Sequence, residues 1–284
     1  MKVLVPATTA NMGPGFDLLG ASLNLDNELI GEFNQEYSLI ETGYLDGKPF
    51  EENLIAQIVL AFLKEHGETK PFKIEAVNRI PFARGLGSSS AAIVGALFLA
   101  NEMLGSPEDK LALLRRAIAI EGHPDNVAPA LFGGVVLSNQ DQVLRLPAPV
   151  IEACVMIPDF KLETKKARTV LPQQIDHQVA VRNSANLAQL VLALERGDSD
   201  LFLASLEDKL HEPYRGTLIP GFFELRELAS KKGGKLIISG SGPTLLYLAK
   251  KNAYNDAKEL SNSWSLNNEV VQVQLGSQGV RLAN

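Results

Sequence analysis

The sequence predicts an α+β chain built as two mixed domains, residues 1–150 and 151–284. Three observations predict it. Strand-like and helix-like segments interleave through the first half with no fixed repeat. A stretch carrying two prolines, "LPAPVIEAC", breaks the pattern near residue 150. The chain then closes on a β-β-α-β order, which suits an antiparallel sheet with helices on one face.

Each element has a local reason. Alternation or apolar runs mark strands at Lys2–Val5, Glu28–Asn34, Tyr37–Thr42 and Phe72–Val77. A helix over Leu54–His66 has Asn53 as its N-cap and Gly67 just past its end. Another is expected from Pro107, with Ser106 as cap, running towards Ile120. "FGGVVLSN" and "VLRLP" read as a hairpin that closes this half near Pro147. Beyond the break come a strand at Ala153–Ile157 and helical segments "SANLAQLVLALERG" and "DLFLASLEDKL". A helix from near Pro220 ends at Gly233–Gly234. Strand "KLIISG", loop "SGP", strand "TLLYLAK", helix "AYNDAKELSNSW" and strand "EVVQVQL" complete the order.

Composition narrows the function classes. A net charge of −6 argues against nucleic acid as the main partner, because phosphate backbones call for a basic surface. The longest apolar run, Ala91–Ala100, falls well short of the roughly 20 residues a membrane span needs. The N-terminus has too short an apolar segment before Pro6 for a signal peptide. A lone cysteine, Cys154, sits in what reads as a buried strand and fits a reducing compartment. No membrane partner and a cytoplasmic location are therefore expected.

The most informative stretch is "IPFARGLGSSSAAIVGALFLAN", Ile80–Asn101. Gly85 and Gly87 let the backbone bend and approach a ligand, and Ser88, Ser89 and Ser90 stand where the following helix must begin. The first amides of a helix have no partner within it and carry a positive partial charge, so such an end binds anions, phosphate above all. The same residues also read as a serine-rich cap on a core helix. The lysine of the common P-loop is absent, so composition alone leaves both readings open.

Other segments bear on the choice. "PATTANMGPGFDLLG" near the N-terminus, "PFARGLGSSSAA" in the middle and "SGSGPTLLYL" near the C-terminus resemble the three ordered motifs of the GHMP kinases. With "EGHPDNVAPALFGG" and "LIPGF" added, the chain is most similar to the homoserine kinases of that family. The resemblance runs over nearly the whole length. It implies an N-terminal domain like the second domain of ribosomal protein S5 and a C-terminal ferredoxin-like domain. It further implies transfer of the γ-phosphoryl of ATP, with Mg²⁺, to a substrate hydroxyl between them. A homodimer is expected because family members are often dimers.

The residue roles that follow are what the resemblance implies. Pro81, Arg84, Gly85, Leu86, Gly87, Ser88, Ser89, Ser90 and Ala91 form the ATP-phosphate motif, with Asn53 near the adenine. Ser89 and Glu121 are the Mg²⁺ ligands; a hard cation that keeps its waters needs only one or two protein oxygens besides the phosphates. L-homoserine carries an ammonium, a carboxylate and a hydroxyl. Asn11 and Asp17 face the ammonium or nearby polar groups, Arg168 and Arg215 take the carboxylate in planar forks, and Thr164 and His123 join the site. Asp125, Asn126 and Arg168 make up the catalytic set. For Asp125 two readings stay open: a base for the hydroxyl proton, or a cap for the helix "NVAPALFG". Competing functions are a sibling GHMP kinase, an S5-like nucleic-acid module and a ligand sensor without turnover. The paired arginines, the acidic balance and the presence of Ser89, Glu121 and Asp125 speak against these in turn.

Overall fold

The computed structural model describes residues 1–45, 47–139 and 142–283. Two β-sheets share the molecule. The first is formed by β1 (Lys2–Ala10), β2 (Leu19–Phe33), β3 (Ser38–Gly43), β4 (Phe72–Asn78), the hairpin β5 (Val135–Ser138) and β6 (Val143–Leu146), and β11 (Arg281–Leu282). Its path runs β11-β1-β2-β4-β3, with β5 also on β2, and every pairing is antiparallel except β3 with β4. The helices α1 (Leu54–Glu65), α2 (Ser88–Met103), α3 (Lys110–Glu121) and α4 (Pro124–Phe132) complete this part. Of these, α2 and α4 lie directly on β1 and β2, while α1 and α3 flank α2.

The second sheet is fully antiparallel, in the order β10-β7-β9-β8, from β7 (Glu152–Pro158), β8 (Lys235–Ile238), β9 (Leu245–Ala249) and β10 (Asn268–Val273). Alternation divides its side chains between two cores. Cys154, Met156, Leu245, Tyr247, Leu236 and Ile238 meet Phe222, Leu225 and Leu260 of α9 (Phe222–Lys231) and α10 (Ala253–Ser263). Ala153, Val155, Leu246, Leu248 and Ile237 join the main core, with Leu190 and Leu194 of α6 (His177–Arg196) and Phe202 of α7 (Ser199–Ala204). The expected helices on one face are α9 and α10, and the opposite face is buried as well, against the main core. That double burial explains why "CVMI" and "LLYLA" are continuous apolar runs rather than alternating ones. Between β7 and β8 also lie α5 (Thr164–Thr169), which follows β7, and α8 (Glu212–Arg215).

Several element limits differ from expectation. β1 continues through Pro6, which sits where its register against β2 shifts, and a bulge is where a strand tolerates a residue without an N–H. β2 begins at Leu19, not Glu28, because "LGASL" is buried throughout and shows no alternation. α3 begins at Lys110 under Asp109, whose carboxylate accepts from the Ala112 N–H, so Ser106 and Pro107 are not its start. Ser106 instead has a positive φ and donates to Glu102. No strand was expected for β11, which brings the C-terminal segment back onto β1 through Val3 and Leu4.

Candidate active site

Three loops that are far apart in sequence interlock at the junction of the two sheets. The Thr8 N–H donates to the Leu86 carbonyl at 3.1 Å, the Thr244 N–H to the Arg84 carbonyl at 3.1 Å, and the Gly240 N–H to the Ala10 carbonyl at 2.9 Å. Side chains add to the lock. The Ser239 hydroxyl donates to the Gly85 carbonyl at 2.7 Å and the Asn11 amide to the Gly240 carbonyl at 2.9 Å. The glycines of the central loop are required by this packing. A Cβ on Gly85, where φ is +77°, would lie 2.3 Å from the Ser239 carbonyl oxygen. One on Gly87, where φ is +66°, would lie 1.9 Å from Thr8 Oγ1.

A cleft of about 390 Å³ opens beside the lock. Gly87, in the left-handed region, immediately precedes α2, and no side chain caps that helix. Its first amides therefore face outward without an acceptor, beside a buried Ser88 hydroxyl that has no hydrogen-bond partner. Unpartnered amides of this kind suit an anion, and Arg84, Gly85, Gly87, Ser88 and Ser89 line the cleft here. Next to it the Ser89 hydroxyl donates to Glu121 Oε2 at 3.0 Å and the Ser90 hydroxyl to Oε1 at 2.8 Å. One carboxylate with a hydroxyl is a hard-oxygen set suited to Mg²⁺. Among the described residues no group of three or more His, Cys, Asp or Glu side chains could hold a metal alone. A cation there must take its remaining ligands from phosphate and water.

Glu121 ends α3, and α4 starts two residues later with His123 as N-cap residue and Pro124 in the first turn. Asp125 is buried, and its carboxylate lies 2.5 Å from His123 Nδ1. It makes no capping bond, so the reading of Asp125 as a helix cap is corrected. Pro129 has no N–H to offer the Asp125 carbonyl, which packs against Gly20, where a Cβ would come within 1.9 Å of it. That close fit fixes Asp125 on β2. The hydrogen bond to Asp125 raises the His123 pKa above its ordinary value. Asn126 accepts at Oδ1 from the Thr8 hydroxyl at 2.7 Å and lines the cleft.

The far wall carries the guanidinium groups. Arg168 of α5 forks onto Asp17, with Nη1 donating at 3.0 Å and Nη2 at 2.7 Å. Asp17 and Arg168, expected to hold opposite ends of the substrate, are thus bonded to each other. Arg168 lines the cleft and Asp17 lies behind it. Arg215 of α8 is fully buried; its Nε donates to the Ala167 carbonyl at 3.3 Å and Nη1 to the Gly240 carbonyl at 3.2 Å, while Nη2 has no partner. Burial brings its pKa down to about 10. Both guanidiniums sit over the Phe16 ring, at 5.8 Å for Arg168 and 5.0 Å for Arg215. Phe16 in turn stacks on buried His211 at 5.4 Å. The Thr164 hydroxyl lies 3.2 Å from that of Ser241, at the cleft.

Most of the expected residues meet here, with corrections. Leu86 and Ala91 point into the core, and Ser90 is buried and reaches the cleft only through Glu121. These three and Pro81 do not line the cleft. Asn11 is engaged as a brace, accepting at Oδ1 from the Asp17 N–H at 2.9 Å while its Nδ2 holds Gly240. Asn53 lines the cleft and caps α1 through the Ile55 and Ala56 N–H groups. Sequence reasoning missed Thr8, Phe16 and Ser241. It also missed the far end, where Asn27, Glu41, Asn78 and Phe82 line the cleft. There the Asn78 amide donates to Glu41 at 3.2 Å. Asn27 and Asn78 were findable as polar side chains at inward-facing positions of alternating strands, beside Leu29 and Ala76; the others carried no local signal.

Comparison places this architecture among known proteins. The models for the GHMP kinase N-terminal and C-terminal domains match residues 53–134 and 190–266. A homoserine kinase of Carboxydothermus hydrogenoformans is 44% identical, over 88% of this chain and 85% of its own. One of Synechocystis is also 44% identical, over 92% of this chain and 90% of its own. The crystal structure of a homoserine kinase from Cytophaga hutchinsonii superposes with a TM-score of 0.90 at 32% identity, covering 100% of this chain and 97% of that one. The chain belongs to the GHMP kinase family, among its homoserine kinases.

Proposed function

We propose that this chain transfers the γ-phosphoryl group of ATP to the hydroxyl of L-homoserine, giving O-phospho-L-homoserine for threonine biosynthesis. The observation that carries the reading is the single cleft with an uncapped, glycine-preceded helix end on one wall and two guanidinium groups on the other. The first wall suits a triphosphate and the second suits the carboxylate of an amino acid. The nucleoside then occupies the end lined by Asn53, Asn78 and Phe82. Ser89 and Glu121 would hold Mg²⁺, which would neutralise charge on the phosphates.

In the transfer the acceptor hydroxyl oxygen bonds to the γ-phosphorus, the bond to the β–γ bridging oxygen breaks, the hydroxyl proton passes to a phosphoryl oxygen or to water, and ADP leaves. Charge accumulates on oxygens already faced by helix amides, and the chain's contribution is chiefly alignment. His123 holds Asp125 in place, and together with Asn126 they border the region between phosphate and acceptor. Because the Asp125 carboxylate is already engaged with His123 Nδ1 at 2.5 Å, its role is to orient that imidazole. Asp125→Asn is therefore expected to lower kcat by less than about tenfold, against the roughly 10²–10⁴ that a general base contributes. A steady-state kcat for the variant decides this, and a loss of a hundredfold or more would restore the base.

The function itself is tested by coupled ADP release with Mg·ATP and homoserine, serine, threonine, mevalonate or galactose as acceptor. Homoserine is expected to exceed the others in kcat/KM by orders of magnitude. Preference for mevalonate or galactose would transfer the chain to a sibling activity.

A further inference from the structure

The Asp17–Arg168 fork holds one anion and one cation where the proposed acceptor presents one cation and one anion. Arg168 sits on the cleft wall at the end of a short helix, its side chain 38% exposed, and covers Asp17, which is 34% exposed behind it. Beside the fork, on the same Phe16 ring, Arg215 offers a buried Nη2 with no acceptor. The charges at this end are thus unevenly served: Asp17 is satisfied by Arg168, and Arg215 lacks an anion.

We propose that the fork is an internal stand-in for the acceptor's own zwitterion, and that binding is an exchange of ion pairs. The ligand carboxylate draws Arg168 towards the spare donor of Arg215. The movement uncovers Asp17, which receives the ligand ammonium. Before binding Arg215 alone lacks a counter-ion, and after it Arg215 shares the ligand carboxylate with Arg168 while Asp17 pairs with the ammonium. A ligand with a carboxylate alone strands Asp17, and one with an ammonium alone evicts Arg168 with nothing to receive it. Breaking a partly buried pair from one side is costly because the abandoned charge loses its partner without regaining full hydration. The site would thereby select amino acids over hydroxy acids and amino alcohols of the same length, a property neither arginine confers alone. This rests on the acceptor reading above.

The test is direct binding by ligand-observed NMR, which needs no turnover. The probes are L-homoserine, 4-hydroxybutyrate and 3-aminopropan-1-ol. Wild type is expected to bind homoserine well ahead of both fragments. In Asp17→Asn the fork is gone, so 4-hydroxybutyrate should bind roughly three- to tenfold more tightly than to wild type while homoserine binds more weakly. The gain should persist at about 0.5 M salt, where through-space repulsion is screened but a partly buried contact is much less so. If Asp17→Asn does not fold, Arg168→Gln provides the mirror experiment, with 3-aminopropan-1-ol as the ligand that gains. Should homoserine bind wild type and neither variant improve its fragment, the exchange is overturned and the acceptor assignment stands. Failure of homoserine to bind wild type overturns both.

Discussion

Gly87→Ala is expected to lower kcat/KM for ATP by at least about a hundredfold while the protein stays folded. Two effects act together. The left-handed conformation at φ +66° costs a non-glycine residue about 1–2 kcal/mol. The new methyl would also sit 1.9 Å from Thr8 Oγ1 and 3.0 Å from Asn126 Oδ1, so the loop must move. A displacement of about 1 Å at the start of α2 misdirects the amides that face the phosphates, and such an error alone can cost about 10² in rate. Gly67→Ala is the control. Its φ is also positive, at +80°, but nothing lies within 4 Å of the new Cβ, so strain is added without disturbing the cradle. Kinetics and circular dichroism on both variants separate the effects. If Gly87→Ala falls no further than Gly67→Ala, the cradle is not where the phosphates bind.

Arg215→Met is expected to raise KM for homoserine by about a hundredfold or more and to move KM for ATP by less than about threefold. A buried guanidinium aimed at a carboxylate makes charge-assisted hydrogen bonds, and removing one partner of such a pair costs about 2–5 kcal/mol. Arg215→Lys should recover little, because an ammonium cannot reproduce the planar fork that already holds Ala167 and Gly240 through Nε and Nη1. The loss should not be a folding defect. Burial disfavours this charge, as its depressed pKa of about 10 records, and a methionine of similar length fills the space without it. Initial rates with each substrate varied in turn, beside a thermal melt, check the expectation. Equal rises in both KM values would mean that Arg215 supports the cleft as a whole.

How far the site could be read from sequence depended on whether its chemistry was local. The glycine-serine loop, the "EGHPDN" segment and the arginines were legible because their motifs resemble those of a known family; residue type and spacing alone left a structural reading open for each. The helix-end reading of Gly87–Ser89 needed only the rule that first-turn amides lack partners. What sequence could not supply were contacts set by the tertiary fold. Asp17 and Arg168 are 151 positions apart, and each alone looked like a ligand for the substrate. Thr8 was ordinary strand sequence until Gly87 was seen against it. Adjacent residues of one motif were divided by the fold: the loop before α2 turns Leu86 to the core, and helix geometry sends Ala91 there while leaving Ser89 at the cleft. Asp125 was ambiguous because its neighbour His123, not a backbone amide, proved to be its partner.

The fold was legible in much the same way. Helices with clear caps and strands with clear alternation fell near their expected limits. Double burial hid the first half of β2, which reads neither as alternation nor as a helix face. The two-residue β11 is too short for any periodicity, and only its pairing with Val3 and Leu4 defines it.

The most direct test is a crystal structure with a non-hydrolysable ATP analogue and L-homoserine. The triphosphate should accept from the amides of Gly87–Ser89, with the amino-acid carboxylate on Arg215 and Arg168. A triphosphate lodged elsewhere, or a homoserine carboxylate turned away from both guanidiniums, would contradict it.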